Sequence, residues 1–363
     1  MNRSVDAVTR WLFVVCGLVM LMVVVGGYVR LARAGLAIVE WNVITGIIPP
    51  IGEEAWQAEF AKYQQSPEYQ KVNYGMTLEE YKRIFYIEYF HRLLARIAGL
   101  VVVVPFLYFL WRGHIAREHA KVYAAIVVLF GLQGTVGWLM VKSGLVDRPS
   151  VSHMRLTVHL LLALFILALT LWTALNRLYY AHELVPVRVR PGPGRVALVL
   201  LGVLVVQIAY GGFVAGLKAG YVSNTWPLMF GSLVPPGLLS AVQPWWLNLV
   251  ETPVTIHFIH RWFAFVVAAV VVWFNVAVRR APTTPEVRRG GLALLGLVGV
   301  QILLGILVVV FNVPLPLALA HQAVALLLFA VTIFLNHRLL HVAPDEAPSL
   351  RREAVPGYVS GKT

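Results

Sequence analysis

Eight long apolar runs constrain this chain more than any other feature of its sequence. They fall near residues 11–31, 84–111, 121–141, 154–175, 195–216, 254–278, 290–311 and 317–337. About 20 apolar residues let an α-helix cross a bilayer, and a helix satisfies its own backbone hydrogen bonds within lipid. Because 59% of the 363 residues are hydrophobic and only 13% are charged, a soluble fold is excluded. We predict an all-α, polytopic membrane protein with eight transmembrane helices.

The charges are distributed unevenly between the two sides of these predicted helices. The formal net charge is +13, and the arginines and lysines cluster in segments beside alternate ends of the runs. The other side carries a long, glutamate-rich segment between the first two runs. Basic loops tend to stay in the cytoplasm, so we predict that both termini are cytoplasmic. The basic charge indicates orientation in a lipid bilayer, and no nucleic-acid partner is expected.

The two halves of the sequence repeat each other. "GGYVRLARAG" (26–35) is echoed by "GGFVAGLKAG" (211–220), "EYFHR" (88–92) by "HFIHR" (257–261), and "TVHLLLAL" by "LAHQAVALLL". Each half holds four runs, an even number, so the halves should share one orientation. We predict two tandem four-helix bundles related by an axis along the membrane normal. The predicted boundaries are 1–187 for the first bundle, 188–195 for a linker, 196–341 for the second bundle and 342–363 for a disordered cytoplasmic tail.

Four of the eleven histidines occupy repeat-equivalent positions in the apolar runs. His91 and His159 belong to the first half, and His260 and His321 to the second. One imidazole from each of two helices can bracket a haem iron axially within a bundle. Zinc competes, but it needs three or four ligands, and the second half offers no cysteine or acidic pair. His153 is about 240° around the helix from His159, so both cannot face one iron. Five histidines at or beyond the ends of runs are predicted to be solvated: His114, His119, His182, His337 and His341.

Charged side chains accompany these histidines in the outer parts of the runs. We predict that four arginines bind the haem propionates through their planar donor groups: Arg92, Arg96, Arg155 and Arg261. Extension of these arginines to the membrane interface is the alternative. Glu88 lies three residues before His91, so both point from one helical face. Its carboxylate could take up protons in catalysis or pair with Arg92 as a structural contact. His257 stands at the equivalent position in the second half.

Taken in order, several motifs resemble the haem A synthase family, in its proteobacterial and mitochondrial branch. They are "EWNVITGIIPP", "NYGM", "EYFHR", "RLTVHL", "HFIHR" and "AHQA", and the resemblance covers roughly residues 10 to 340. It implies an oxidoreductase that converts haem O to haem A for cytochrome oxidase, oxidising the methyl group at pyrrole position 8 to a formyl group by two successive hydroxylations. Some members carry a cysteine pair in each outer loop, whereas this chain has one cysteine, Cys16.

The resemblance also implies roles for individual residues. His91 and His159 match the histidines of the substrate haem, Glu88 the catalytic glutamate, and His260 and His321 the ligands of a resident haem b. The expected location is the cell inner membrane, with the haem sites towards the outer side. The expected partners are a haem O synthase and a membrane or soluble electron-transfer protein, and a homo-oligomer remains open.

Two functions of other classes compete with this interpretation. A dihaem b-type electron carrier that exchanges electrons with quinone fits the histidine spacing equally well. A haem transporter would need a moving gate. The glycine pairs at 26–27 and 211–212 could act as its hinges, but more simply they allow helices or a macrocycle to approach closely. The presence of Glu88 opposite His257 favours an enzyme, because a carrier needs no lone carboxylate beside one haem.

Overall fold

The computed structural model describes residues 5–146, 149–180 and 191–340, and within them all eight predicted spans are helical. The fold is all-α: these ranges contain no strand, only an isolated bridge between Met229 and Ser232. All helices except α2, α3 and α8 are long and apolar enough to cross a membrane. In chain order the helices are α1 (Ala7–Leu31), α2 (Glu53–Gln64), α3 (Pro67–Lys71), α4 (Leu78–Trp111), α5 (Ala120–Lys142), α6 (His153–Tyr180), α7 (Pro193–Gly216), α8 (Asn248–Glu251), α9 (Pro253–Arg279), α10 (Pro285–Val310) and α11 (Leu315–Leu340).

Several helices begin before the apolar run that predicts them, and in α1 and α4 a polar side chain caps the earlier start. The largest difference is in α4, which starts at Leu78 instead of 84. A capping box sets this start: the Thr77 backbone N–H donates to the Glu80 carboxylate (2.8 Å), and the Glu80 N–H donates to the Thr77 hydroxyl (3.3 Å). Reciprocal bonds of this kind satisfy two of the free N–H groups at a helix start. They extend α4 by more than one turn beyond its apolar stretch.

The eight long helices contact one another in two rings. Helices α1, α4, α5 and α6 form the first, and α7, α9, α10 and α11 form the second, while α1, α6, α7 and α11 meet between the rings. Helix α7 begins at Pro193, so the end of the predicted linker is its first turn. Residues 188–190 of that linker and the predicted tail at 342–363 lie outside the described residues.

Glycines bring the two rings into close contact. A Cβ atom added to Gly27 of α1 would lie 2.1 Å from Oε1 of Gln322 on α11. The Gln322 amide donates to the Val23 carbonyl at 2.6 Å. A Cβ on Gly212 of α7 would lie 2.7 Å from the Thr157 hydroxyl of α6. Small residues of this kind allow helices to approach closely in a membrane, so the two rings form one packed unit.

At the helix ends near Leu340, polar contacts tie α11 to α7 of its own ring and to α6 of the first ring. The Asn336 amide donates to the Ala197 carbonyl at 3.0 Å, and the His337 ring lies 2.8 Å from the Asn176 side-chain oxygen. His337 is fully buried, so the prediction that it is a solvated loop residue is wrong. The helix α11 continues past the end of the apolar run, and the ring faces α6. His182 and His341 lie outside the described residues.

The opposite end, which we call the loop side, carries the 32–77 and 217–252 segments. The ends of α1 and α7 meet there, where the Arg30 guanidinium donates to the Ala215 carbonyl. The first segment is folded against the start of α4, although the sequence analysis predicts no helix in it. Its α2 and α3 rest on an aromatic cluster in which Tyr63 and Tyr81 stack at 4.9 Å. The cluster comprises Trp56, Tyr63, Tyr81, Phe85 and Tyr89.

Glu68 makes the stability of this loop depend on pH. Its carboxylate is buried and accepts a hydrogen bond from the Tyr63 hydroxyl at 3.2 Å. Burial is the largest influence and raises the pKa of Glu68 to about 7, against the opposing effects of Tyr63, Lys218 and Arg33. The folded loop therefore holds a proton that the unfolded loop releases at lower pH.

We expect the loop to be most stable below about pH 4.5 and to lose stability as the pH rises towards 7. Glu68→Gln should remove this dependence, because the amide stays neutral throughout. Hydrogen exchange of the α2 and α3 amides at pH 5 and pH 8, corrected for intrinsic rates, measures the effect. Gln57→Glu, an exposed carboxylate on α2, is the matched control. Equal protection of the wild-type loop at both pH values would contradict the prediction.

Candidate functional site

Each of the four repeat-equivalent histidines lies against a glycine of a neighbouring helix. All four side chains are partly buried, and a Cβ atom on the glycine would come within 3.3 Å of the ring. Four histidines on four helices thus make the same type of contact, and we call them the seated histidines. A larger residue at any of the four glycines would displace a histidine ring. The pairs are His91 with Gly26 (3.3 Å), His159 with Gly137 (2.9 Å), His260 with Gly211 (3.2 Å) and His321 with Gly305 (3.1 Å).

The second ring of helices brings two of these imidazoles face to edge. The His260 and His321 ring centres are 6.3 Å apart, at an interplanar angle of 75°. A metal lies about 2 Å from each histidine nitrogen that binds it, and each ring centre lies about 1 Å further away. Two rings that bind one metal from opposite sides therefore have centres roughly 6 Å apart. The pair therefore fits the axial ligation of one haem iron, and the buried Nδ1 of His321 has no other partner.

Zinc fits the described residues less well. No group of three or more histidine, cysteine, aspartate or glutamate side chains within the described ranges could hold a metal ion. Cys16 is buried in α1. A zinc site needs three or four such ligands, whereas the porphyrin of a haem already supplies four nitrogens to its iron, which needs only two more. The available histidines therefore fit a haem better than a zinc ion.

Three of the four histidines also contact a glutamine, a feature to which the sequence analysis assigns no role. The amide nitrogens of Gln133 and Gln207 donate to the backbone carbonyls of His159 and His260, each at 3.0 Å. These nitrogens also approach the rings, at 3.5 and 3.3 Å, and the Gln301 nitrogen lies 3.2 Å from the His321 ring. The available signal is the repeat of glutamine four residues before the glycine: "QGTVG", "QIAYG" and "QILLG".

Glu88 is buried at the loop side, one turn before His91, with only 3% of its surface exposed. Its carboxylate accepts hydrogen bonds from Nε and Nη2 of Arg92, at 3.0 and 2.6 Å. A third bond comes from the backbone N–H of Ile38 at 2.9 Å. The structure thus brings Glu88 and Arg92 together as an ion pair that also holds the first loop.

Arg92 and Arg261 perform the same structural task in the two halves. Arg92 donates to the carbonyls of Ile38 (2.8 Å) and Glu40 (3.0 Å) in the first loop. Arg261 donates to the carbonyls of Ser223 (2.7 Å) and Thr225 (2.8 Å) in the equivalent loop. Each guanidinium is in turn held by the residue four positions earlier.

That earlier residue differs between the halves. In the second half, the His257 ring accepts a hydrogen bond from Nε of Arg261 at 3.0 Å, whereas Glu88 binds Arg92 in the first. His257 is buried and therefore acts as a neutral replacement for the carboxylate in this loop contact. Among the residues that the structure describes, a carboxylate lies one turn from a histidine of the pair in the first half and not in the second.

The other two arginines predicted to bind propionates also contact backbone carbonyls. Arg96 donates to Asn42 (2.7 Å) and Val43 (2.8 Å), and its buried Nη1 has no partner. Arg155 is exposed and donates to the Leu139 carbonyl at 2.7 Å. The propionate role of all four arginines stays a prediction.

Arg155 borders a cleft of about 740 Å³ on the loop side, between the two rings of helices. Lys142 and Lys218 also line this cleft, so its charge is mainly positive. His153 lies at its wall and binds the Val250 carbonyl at 2.8 Å. This contact gives His153 a structural role, away from the four seated histidines.

The glycine contacts lead to a prediction with an internal control on one helix. Gly137→Ala places a methyl group 2.9 Å from the His159 ring, whereas no atom lies within 4 Å of the equivalent position at Gly134. Both changes add the same helix propensity, so only the first should displace His159. We expect Gly137→Ala to lower ligand binding at the His91/His159 pair at least tenfold and Gly134→Ala to leave it unchanged. Absorption spectra of the purified variants titrated with haem measure the difference, and equal affinities would contradict the prediction.

Comparison with known proteins gives a consistent result. Residues 9–333 match the family described as "Cytochrome oxidase assembly protein". The chain is 45% identical over 329 residues to the "Heme A synthase" of Nitrosospira multiformis, covering 91% of this chain and 92% of that protein. It is 44% identical to the "Heme A synthase" of Bradyrhizobium sp. (strain ORS 278), covering 93% and 92%. The "Heme A synthase" of Flavobacterium psychrophilum is 40% identical, with 93% and 99% covered.

Proposed function

Because this chain belongs to the haem A synthase family, we propose that it is the oxidoreductase that converts haem O to haem A for cytochrome oxidase. We further propose that two successive hydroxylations act on the methyl group at pyrrole position 8. Each hydroxylation replaces a C–H bond by a C–O bond; with water as the oxygen donor it releases two protons, and two electrons pass to the electron-transfer partner. The resulting gem-diol loses one water to give the formyl group. The difference between Glu88 and His257 is the observation that carries this proposal, because it makes one half chemically distinct.

In this proposal the two histidine pairs hold different haems. His260 and His321 hold a resident haem b, which supplies electron transfer when bound. The 6.3 Å separation of their rings supports this assignment. His91 and His159 hold the substrate, haem O, and later the product, haem A. Arg96, with its free buried N–H group, and the exposed Arg155 are the better placed of the four arginines for the propionates.

Glu88 has the proposed role of proton acceptor beside the substrate. One carboxylate oxygen accepts two hydrogen bonds from Arg92, and the other accepts one from the Ile38 backbone N–H. The carboxylate is therefore fixed in position. A fixed carboxylate can take the proton released at each hydroxylation or stabilise positive charge that develops on the methyl carbon. The two bonds from the Arg92 guanidinium hold the carboxylate in this position.

The proposal extends to topology and partners. Both termini lie in the cytoplasm and the loop side faces outwards in the inner membrane, in line with the positive-inside rule. A haem O synthase supplies the substrate, and a membrane or soluble protein exchanges electrons with the resident haem. The alternative, a dihaem carrier that exchanges electrons with quinone, gains no support from relatives that are named as synthases.

Co-expression with a haem O synthase, in a host that lacks haem A, tests the proposal. Extracted haems should include formyl haem by mass spectrometry. A host that expresses the haem O synthase alone is the control. A folded and haem-loaded chain that yields only haem B and haem O would refute the synthase and favour the carrier.

A further inference from the structure

The glutamine contacts divide the four seated histidines into three and one. A glutamine four residues before the seating glycine contacts His159, His260 and His321. On α1 the corresponding segment reads "MVVVG", so Met22 stands where the other three helices have glutamine. The structure shows no hydrogen bond to the His91 ring from any residue that it describes.

The three glutamines share an unsatisfied atom. The side-chain oxygens of Gln133, Gln207 and Gln301 are all buried without a hydrogen-bond partner. Buried polar atoms are nearly always paired in folded proteins. The same atom, orphaned at three repeat-equivalent positions, therefore indicates an acceptor whose donor comes with a bound ligand.

The histidines supply that donor when they bind iron. An imidazole that gives one nitrogen to a metal carries its proton on the other nitrogen, and this N–H group needs an acceptor. Each amide nitrogen lies 3.2 to 3.5 Å from a ring nitrogen, which is Nε2 in His159 and His321 and Nδ1 in His260, and a half-turn of the amide would bring its oxygen there instead. For Gln133 and Gln207 this turn exchanges the 3.0 Å bond to the backbone carbonyl of the same histidine for the bond from the imidazole N–H. Gln301 donates to no backbone carbonyl within the described residues, so its amide turns without losing a bond.

We propose that Gln133, Gln207 and Gln301 are positioning residues that orient three axial histidines, and that Met22 leaves His91 as the one ligand without this support. The iron–His91 bond is then the weakest of the four and is the bond that opens when haem enters or leaves the N-terminal site. His91 departs as a neutral imidazole, so neither electrons nor protons need to move. This inference rests on the proposed function, because it assumes that haem binds the histidines.

The placement of the weak bond suits the proposed roles of the two sites. A resident haem should be held firmly from both sides, and Gln207 and Gln301 provide support at both of its ligands. The bound haem of the N-terminal site must leave after each turnover. His159, which has a supporting glutamine, holds the iron in place while His91 releases it. A thioether is only a weak acceptor, so Met22 cannot replace the amide.

Transfer of haem to excess apomyoglobin tests the proposal on detergent-purified protein loaded with haem O. Loss of a second-shell hydrogen bond typically costs 10–100-fold in metal affinity. We expect Met22→Gln to slow release from the N-terminal site by about 10-fold or more and to lower the reduction potential of that haem. Gln133→Met should speed release from the same site about 10-fold, and Gln301→Met should speed release of the resident haem. Gln57→Met, on the exposed surface of α2, is the control.

The outcomes separate this inference from the proposed function. Wild-type protein that binds no haem at either pair would overturn both. Wild-type protein that loads normally, with release rates and potentials unchanged in Met22→Gln, would overturn the inference alone. If Met22→Gln does not fold, Gln133→Met and Gln301→Met decide: rates equal to those of Gln57→Met overturn the proposal, and faster release confined to the mutated site supports it.

Discussion

Glu88→Gln should bind haem at both histidine pairs and make little or no haem A. General acid–base catalysis by one side chain typically contributes roughly 10²–10⁴-fold to a rate, and we expect a loss of this size. The amide keeps the shape of the side chain and can still accept a hydrogen bond from Ile38, but it cannot take up a proton. If the carboxylate acts after the first hydroxylation, the variant should also accumulate hydroxylated haem. Mass spectrometry of extracted haems measures both.

A structural role for Glu88 predicts a different pattern. Removing one partner of a buried ion pair typically costs about 3–5 kcal/mol, whereas replacing both is often neutral. Arg92→Met removes the other charge of the pair and also its bonds to the Ile38 and Glu40 carbonyls. If Glu88 only holds the loop, Arg92→Met should lower haem A formation at least as much as Glu88→Gln does. If Glu88 is chemical, Glu88→Gln should be folded, haem-loaded and far less active than Arg92→Met.

His257→Gln is the matched control in the second half. It breaks the equivalent loop contact, in which Arg261 donates to the His257 ring at 3.0 Å, without touching the N-terminal site. We expect it to perturb the surroundings of the resident haem and to spare the chemistry. Near-normal haem A production by Glu88→Gln, or equal losses in Glu88→Gln and His257→Gln, would remove Glu88 from the mechanism.

Alanine variants of the four seated histidines should fall into two classes. His260→Ala and His321→Ala should remove the stable low-spin b-haem signal from the purified protein, because one ring of a pair 6.3 Å apart is lost. His91→Ala and His159→Ala should keep that signal and abolish the product. Optical and electron paramagnetic resonance spectra, together with haem extraction, measure the two properties separately.

His114→Ala serves as the control for these variants, because His114 is exposed after the end of α4. It should retain both the signal and the product. Loss of the b-haem signal from the N-terminal variants, with the C-terminal ones unaffected, would reverse the assignment of the two halves. Loss of the signal from all four would indicate a single shared site.

The sequence predicted the membrane helices well because apolar length alone determines them. The repeat also identified the four histidines, since duplication leaves equivalent residues at equivalent depths. The sequence predicted less where polar side-chain atoms bond to the backbone, because such contacts leave no periodic signal. Arg92 and Arg261 hold loop carbonyls, and the burial of His337 depends on Asn176 from a distant helix. The folding of the first loop was also not predicted, because it depends on aromatic side chains of α2 and α4 that pack together and leave no periodic signal either.

The contact between Gly27 and Gln322 has a consequence for the history of the chain. In an ancestor made of two identical halves, α1 of one copy met α6 of the other, and both junctions were the same. Leu160 of α6, the counterpart of Gln322 by the alignment of His159 with His321, has no amide to donate to the equivalent carbonyl of α7. Meanwhile Gly212 meets Thr157 across the other junction. The two junctions therefore carry different contacts, and a pair of first halves would lack the Gln322 bond that joins α11 to α1.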